Sequence, residues 1–274
     1  MLIYILFSYV ISSVYAVSIW NNSLDEPAEI FPGDVASTTS ENITNFTLSN
    51  CITDKLPELW TDCYQGDENL NTVHIGVAVD DSYANLFDSK RDIKDEIIGI
   101  VNDTNRYVYT PQLNIHLEVN SWYIRRNNKN WNNCSLSMNG QLKRFRDWST
   151  TRNGKHRSIW ILFTNCHPSP GTVGMAYIGA LCHQGANVAI VNHMNELTWI
   201  LFAHELGHSF GAHHSFEDGV GETGGIMDYG DGSLDGIFQF NTKYRKPEIC
   251  KELSNLFGYC HGCYDDTSRC VTRG

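Results

Sequence analysis

Two histidines four residues apart, with a glutamate beside the first, form the most chemically suggestive pattern in this chain. It reads His204-Glu205-Leu206-Gly207-His208 and continues Ser209-Phe210-Gly211-Ala212-His213-His214. On a helix, residues i and i+4 share a face about one turn apart, so both imidazoles can reach one metal ion. Glu205 can then face an open coordination position, where a water would sit. Gly211 is placed to end the helix in a left-handed conformation and turn the chain, and His214 stands at the spacing of a third ligand. Three neutral imidazoles with one open position describe a catalytic zinc centre, because structural zinc sites are closed by four protein ligands. The chemistry implied is hydrolysis. Zinc brings the pKa of bound water from about 16 towards 7 and polarises a carbonyl. Glu205 accepts the water's proton and can pass it to a leaving amine. His213, the neighbour of the third ligand, is read as an exposed residue or a support behind the ligands. The other seven histidines (74, 116, 156, 167, 183, 193 and 261) have no ligand spacing and default to core or surface roles.

These groups need a scaffold, and the hydrophobic pattern supplies its elements. A helix from about Leu197 to Phe210 carries the first two histidines. Upstream, Val73 to Val79 reads as a strand ended by Asp80-Asp81. Ile93, Ile97, Ile98 and Val101 recur at helical spacing, which predicts a helix from about Arg91 to Arg106. Ile115 to Val119 alternates as a strand, Leu142 to Trp148 reads as a helix, and Ser158 to Phe163 as a buried strand. Two short strands, Val173 to Ile178 and Val188 to Val191, precede the histidine helix. There is no internal repeat. Strands mixed with helices in this order imply an α/β sheet layered by helices.

At 42% hydrophobic and 19% charged, the 274-residue chain can build a real core, which excludes wholesale disorder and fibrous repeats. Its formal charge of −11 argues against nucleic-acid binding, which usually needs a basic face. The charge is uneven. Val17 to Leu70 holds ten acidic residues and one basic, Lys55, for a net −9, whereas the remainder carries −2. The first sixteen residues, MLIYILFSYVISSVYA, are uncharged and apolar, and end in the small-residue pattern of a signal peptidase site. No later segment is apolar enough to span a bilayer, so the expectation is a secreted protein without stable membrane insertion. Nine cysteines and five N-x-S/T sequons, at Asn21, Asn42, Asn45, Asn102 and Asn133, suit an oxidising compartment.

Thirteen residues after His214 comes Met227, within Gly224-Gly225-Ile226-Met227-Asp228-Tyr229. With that methionine, the pattern from His204 to His214 resembles the metzincin metallopeptidases, whose methionine turn lies beneath the zinc. Within that clan it is most similar to the adamalysin or reprolysin family, which includes the ADAM and snake-venom metalloproteinases. The run Gly171 to Cys182 resembles that family's edge strand and following cysteine. The resemblance covers about residues 72 to 260. It implies a mixed twisted sheet with an antiparallel edge strand, layered by helices, with an active-site helix and a small C-terminal subdomain. It also implies that Gly174, Met175 and Ala176 pair with extended protein or peptide substrates.

Three departures stand out. Ser215 replaces the family's usual Asp after the third histidine. Tyr229 is similar to the tyrosine of astacins, a possible oxyanion donor or fifth ligand, with a packed turn tyrosine as the alternative. The cysteines that many adamalysins carry between the zinc helix and the methionine turn are missing. The division expected is 1–16 signal peptide, 17–70 acidic extension or short pro-segment, and 71–274 zinc metallopeptidase catalytic domain. Cys51 and Cys63 admit two readings: they pair with each other, or one is a latency thiol on the zinc. The resemblance pairs Cys182 with a C-terminal cysteine, Cys260 first. One zinc ion is expected, and calcium on acidic loops such as Glu217-Asp218 is left open. The function implied is a secreted zinc endopeptidase with Glu205 as general base; the rival is a catalytically silent, protease-like binding or toxin module.

Overall fold

The computed structural model describes residues 14–17, 57–60, 62–63, 70–124, 130–151, 157–167, 171–183, 185–214, 223–227, 238–258 and 271–273. Strands β1 (Val14–Val17), β2 (Asn71–Val79), β3 (Ile115–Ile124), β4 (Ile159–Thr164), β5 (Gly171–Ala176), β6 (Val188–Asn192) and β7 (Val271–Arg273) form one sheet. Its order is β1-β5-β6-β4-β2-β3, with β7 also pairing to β2. The pairs β3–β2, β2–β4 and β4–β6 are parallel, whereas β5 runs antiparallel to β6. The mixed sheet and its antiparallel strand beside the histidine helix are as the resemblance implied. The outer edge of β5 pairs in parallel with β1, matching Ala16 to Gly174 and Val17 to Met175.

Helices α1 (Lys90–Thr104), α2 (Met138–Thr150) and α3 (Thr198–Ser209) cover the sheet, α4 (Arg245–Gly258) adds Ile249 and Leu253 to the core, and a four-residue helix, Asp81–Ala84, is capped by Asp80. Side chains of alternate residues in the central strands feed two separate cores. Val73, Ile75, Val77 and Val79 of β2 and Ile159, Ile161 and Phe163 of β4 pack on the side of α1 and α3. Ala78, Trp160 and Leu162 face α2, against Leu142 and Phe145. A sheet buried on both faces explains why β4 and β6 are continuous apolar runs without polar alternation.

Helix α1 starts at a capping box in which Ser89 and Asp92 satisfy each other's backbone N–H groups. It continues into a π-helical turn, Asn105–Tyr109, that periodicity did not foresee. The wider turn serves two contacts. The Asn105 amide exchanges hydrogen bonds with the Leu117 backbone, at 2.8 and 2.9 Å. The Tyr109 hydroxyl donates to the Ala203 carbonyl of α3 at 2.9 Å. One residue of the expected apolar face is corrected: Ile98 is exposed, while Ile93, Ile97, Ile100 and Val101 are buried. At 100° per residue, Ile98 sits beside the stripe rather than on it.

A second correction concerns Cys63, and the stretch before residue 71 contributes to the core. Trp60 and Cys63 are buried in the core of the histidine-bearing unit. The Trp60 backbone N–H donates to Gln112 O at 2.9 Å, and its indole to Thr242 Oγ1 at 3.3 Å. Cys63 forms a disulfide with Cys250 of α4. It pairs neither with Cys51 nor stands as a free latency thiol, because its burial against α4 sets the two Cα atoms 4.5 Å apart, within disulfide reach. Cys134 and Cys166 form another bridge, and Cys182 is also disulfide-bonded. Cys51, Cys260, Cys263 and Cys270 lie outside the described residues.

Candidate metal centre and catalytic cleft

Helix α3 is buried along its whole length and delivers His204, Glu205 and His208 from one end. It stops as the sequence suggested. Gly211 takes φ +93°, the Gly211 N–H donates to His208 O at 2.7 Å, and the Ala212 N–H to Gly207 O at 2.9 Å. That crossed pair of bonds is a Schellman turn, which satisfies the last helical carbonyls while reversing the chain. His214 is thereby returned to the helix.

The three histidines converge. Their Nε2 atoms lie 3.2 Å apart for His204–His208, 2.9 Å for His208–His214 and 3.0 Å for His204–His214. These contacts are not ordinary hydrogen bonds. His204 Nδ1 faces the Ile226 carbonyl at 2.6 Å, and His208 Nδ1 faces the Ala212 carbonyl at 2.7 Å. A carbonyl only accepts, so both Nδ1 atoms carry hydrogen, and in the neutral imidazoles both Nε2 atoms are then bare lone pairs. Lone pairs held this close in a buried site repel one another unless a cation lies between them. Tetrahedral zinc with nitrogen ligands at about 2.0–2.1 Å holds such nitrogens about 3.3 Å apart, close to the observed triangle. Burial, then the neighbouring His214 and His204, push His208 well below its ordinary pKa, which keeps it in the neutral form that a metal requires. Among the described residues this is the group of His, Cys, Asp or Glu side chains able to hold a metal ion.

Glu205 completes the site. It is fully buried, and neither carboxylate oxygen has a hydrogen-bond partner. Burial holds its carboxyl well above the usual carboxylate range. A buried acidic group without partners costs stability and calls for a ligand or a reacting group at its oxygens. Strand β5 accommodates it. A side chain at Gly174 would collide with Glu205 Oε1 and come within 2.8 Å of Leu201. Gly174 thus lies directly against the glutamate, while Met175 and Ala176 continue the pairing to Ile190 and Ala189.

Met227 is fully buried beneath α3. A Cβ at Gly207 would sit 2.6 Å from Met227 Sδ and 2.8 Å from Phe240, so the second variable position between the helical histidines must be small. The methionine turn is tied down by the Ile226 N–H to Gln239 O bond at 2.7 Å. Gln112 bonds both backbone groups of Phe240 at 2.8 Å. The sequence reading did not foresee the roles of Gly207, Gln112, or the Ile226 and Ala212 carbonyls, because contacts to backbone leave no mark on residue type. Tyr229, Ser215, Glu217 and Asp218 lie outside the described residues.

A mixed sheet, a helix bearing two histidines, a Schellman turn returning the third and a methionine turn below them define a metzincin-type metallopeptidase fold. A family model described as metallo-peptidase family M12, of reprolysin type, matches residues 69–233, more than half of the chain. The chain belongs to that family. It is 29% identical over 161 residues to the "Disintegrin and metalloproteinase domain-containing protein B" of Aspergillus fumigatus, covering 51% of this chain and 20% of that protein. It is 32% identical over 151 residues to a "Zinc metalloproteinase-disintegrin-like" protein of Cerberus rynchops, covering 52% of this chain and 24% of the relative. A protein B homologue from Arthroderma otae is 28% identical over 176 residues, covering 53% of this chain and 22% of the relative. The matched region spans only a fifth to a quarter of these relatives' own length.

Proposed function

We propose that this chain is a secreted zinc-dependent endopeptidase that hydrolyses peptide bonds in protein substrates. The observation that carries the reading is the pairing of three convergent Nε2 atoms with a buried carboxylate that has no partner of its own. His204, His208 and His214 would hold the ion. Zinc, when bound, activates a water and polarises the scissile carbonyl. Glu205, held against Gly174 by α3, acts as general base and returns the proton to the leaving amine. Burial raises its pKa, which makes the carboxylate a stronger proton acceptor than an exposed one. Met227 and Phe240 form the floor and keep α3 from shifting under the histidines.

The substrate would add as a strand along β5 at Gly174, Met175 and Ala176, where main-chain hydrogen bonds hold it irrespective of sequence. Removal of residues 1–16 as a signal peptide would take three of the four residues of β1 with it and release that edge. Secretion is supported by the disulfides and by two sequon asparagines, Asn102 and Asn133, that are exposed and open to glycosylation.

Incubation of the secreted protein with casein or a peptide library, with and without a chelator, tests the reading. Cleavage that a chelator abolishes and zinc restores is the expected result. A zinc-loaded protein with a mature amino terminus that cleaves nothing would instead identify a silent binding module.

A further inference from the structure

The first two histidines are fixed by a helix; the third is not. His214 follows the Schellman turn on chain without regular secondary structure. Its position therefore depends on what grips the backbone at residues 213 and 214.

That grip comes from α4, a helix outside the zinc-binding motif. The Arg245 guanidinium donates through Nη1 to the His213 carbonyl, and the same atom lies 3.4 Å from the His214 carbonyl. Glu248, one turn along α4, accepts the His213 backbone N–H at 3.0 Å and pairs with Arg245 Nη1 at 3.1 Å. One ion pair thus holds both the N–H and the C=O of the residue before the third histidine. Arg245 is 1% exposed. Burying a guanidinium is costly unless its hydrogen bonds are well placed, so its location here demands a return in order.

The clamp is anchored in turn. The Arg245 N–H donates to Asn241 O at 2.9 Å, and the Asn241 amide donates to Thr223 O at 2.6 Å. Thr223 opens the segment whose Ile226 carbonyl holds His204 Nδ1. The Cys63–Cys250 disulfide fastens α4 from the other side. The backbone of Glu248 and the Cβ of Glu252 lie within 3.4 Å of where a Cβ on Gly211 would stand, closing the turn from below.

We propose that Arg245 and Glu248 are positioning residues for the metal centre, holding the His213-His214 backbone so that the third imidazole completes the triangle. The proposal rests on the zinc reading above. It also gives the main chain of His213 a role.

Zinc affinity of the full chain, measured by competition with a chromogenic chelator, provides the test. Arg245→Met is expected to weaken zinc binding about 10- to 100-fold, the usual effect of removing a group that orients a ligand. It should also alter the visible spectrum of the cobalt-substituted protein. Arg245→Lys should recover part of the affinity. If Arg245→Met fails to fold, Glu248→Ala carries the test, since Glu248 is partly exposed and its loss removes the acceptor for the His213 N–H. Lowered thermal stability of the metal-free variant with unchanged zinc affinity and cobalt spectrum would overturn the clamp and leave the peptidase reading intact. Absence of zinc binding by the unsubstituted chain would overturn the peptidase reading, and the clamp with it, before any variant is made.

Discussion

Asp80 and Glu205 are both completely buried, yet their surroundings are opposite. Asp80 ends β2 and is saturated. Its Oδ1 accepts from the Tyr83 N–H at 2.9 Å and the Ser82 hydroxyl at 2.6 Å. Its Oδ2 accepts from Thr164 at 2.5 Å and Gln141 at 3.1 Å. These bonds join β2, the end of β4 and α2. Glu205 accepts none. A buried carboxylate with four donors is a fastening; one with no donors is held ready for something else. The two acids show how a fold places the same functional group for stability or for chemistry, through nothing but the donors around it.

Substitution of each acid should separate these roles. Glu205→Gln is expected to lower peptide hydrolysis about 10²- to 10⁴-fold, the usual weight of a general base. Zinc content and melting temperature should stay near those of the unsubstituted chain, and a variant with full activity would remove Glu205 from the mechanism. Asp80→Ala should do the reverse. It strands the Gln141 and Thr164 donors and removes a helix cap, at a cost of about 3 kcal/mol in urea denaturation, with activity per folded molecule retained. Gly174→Ala sharpens the contrast from the glutamate's side. Its methyl group pushes on Glu205 but leaves the histidines alone, so activity should fall about 10- to 100-fold at unchanged zinc affinity.

The smallest effect concerns a third acid. Glu252 on α4 is half-buried, and burial pushes its carboxyl up to about 7, against an ordinary value of 4.5. A carboxyl raised in the folded state favours folding in its protonated form. Its contribution is therefore full below about 4.5 and is lost as pH rises through about 7. Glu252→Gln should raise the melting temperature at pH 8 relative to the unsubstituted chain and flatten the pH dependence between those values. Parallel melting curves for both proteins across that range would show that Glu252 is solvated in the folded state.

Much of the site was legible because its chemistry is local. His204 and His208 need only a helix, and Gly211 needs only its own freedom at positive φ. The central strands were legible too, since burial on both faces leaves unbroken apolar runs such as Val188 to Val191. Other features were not. Ile98 matched the apolar pattern, yet the helix turns it to solvent. Helix α4 carries Ile249, Leu253 and Leu256 at helical spacing, but behind a charged, proline-containing start, Arg-Lys-Pro-Glu, and the sequence reading placed no helix there. Cys63 looked like part of an acidic extension because composition averages over a segment, whereas its burial depends on a partner 187 residues away.

The sequence by itself determined which atoms can ligate a metal, which carboxylate stands beside them and where the helix must end, because each of these is set within a turn or two of chain. Only the tertiary structure decided that Glu205 has no partner, that Gly207 is small to admit Met227, and that Arg245 reaches the backbone of the third histidine. Those facts depend on which distant segments meet, and a hydrogen bond to a carbonyl or a contact against a Cα selects no particular residue type for a reader of the sequence to see.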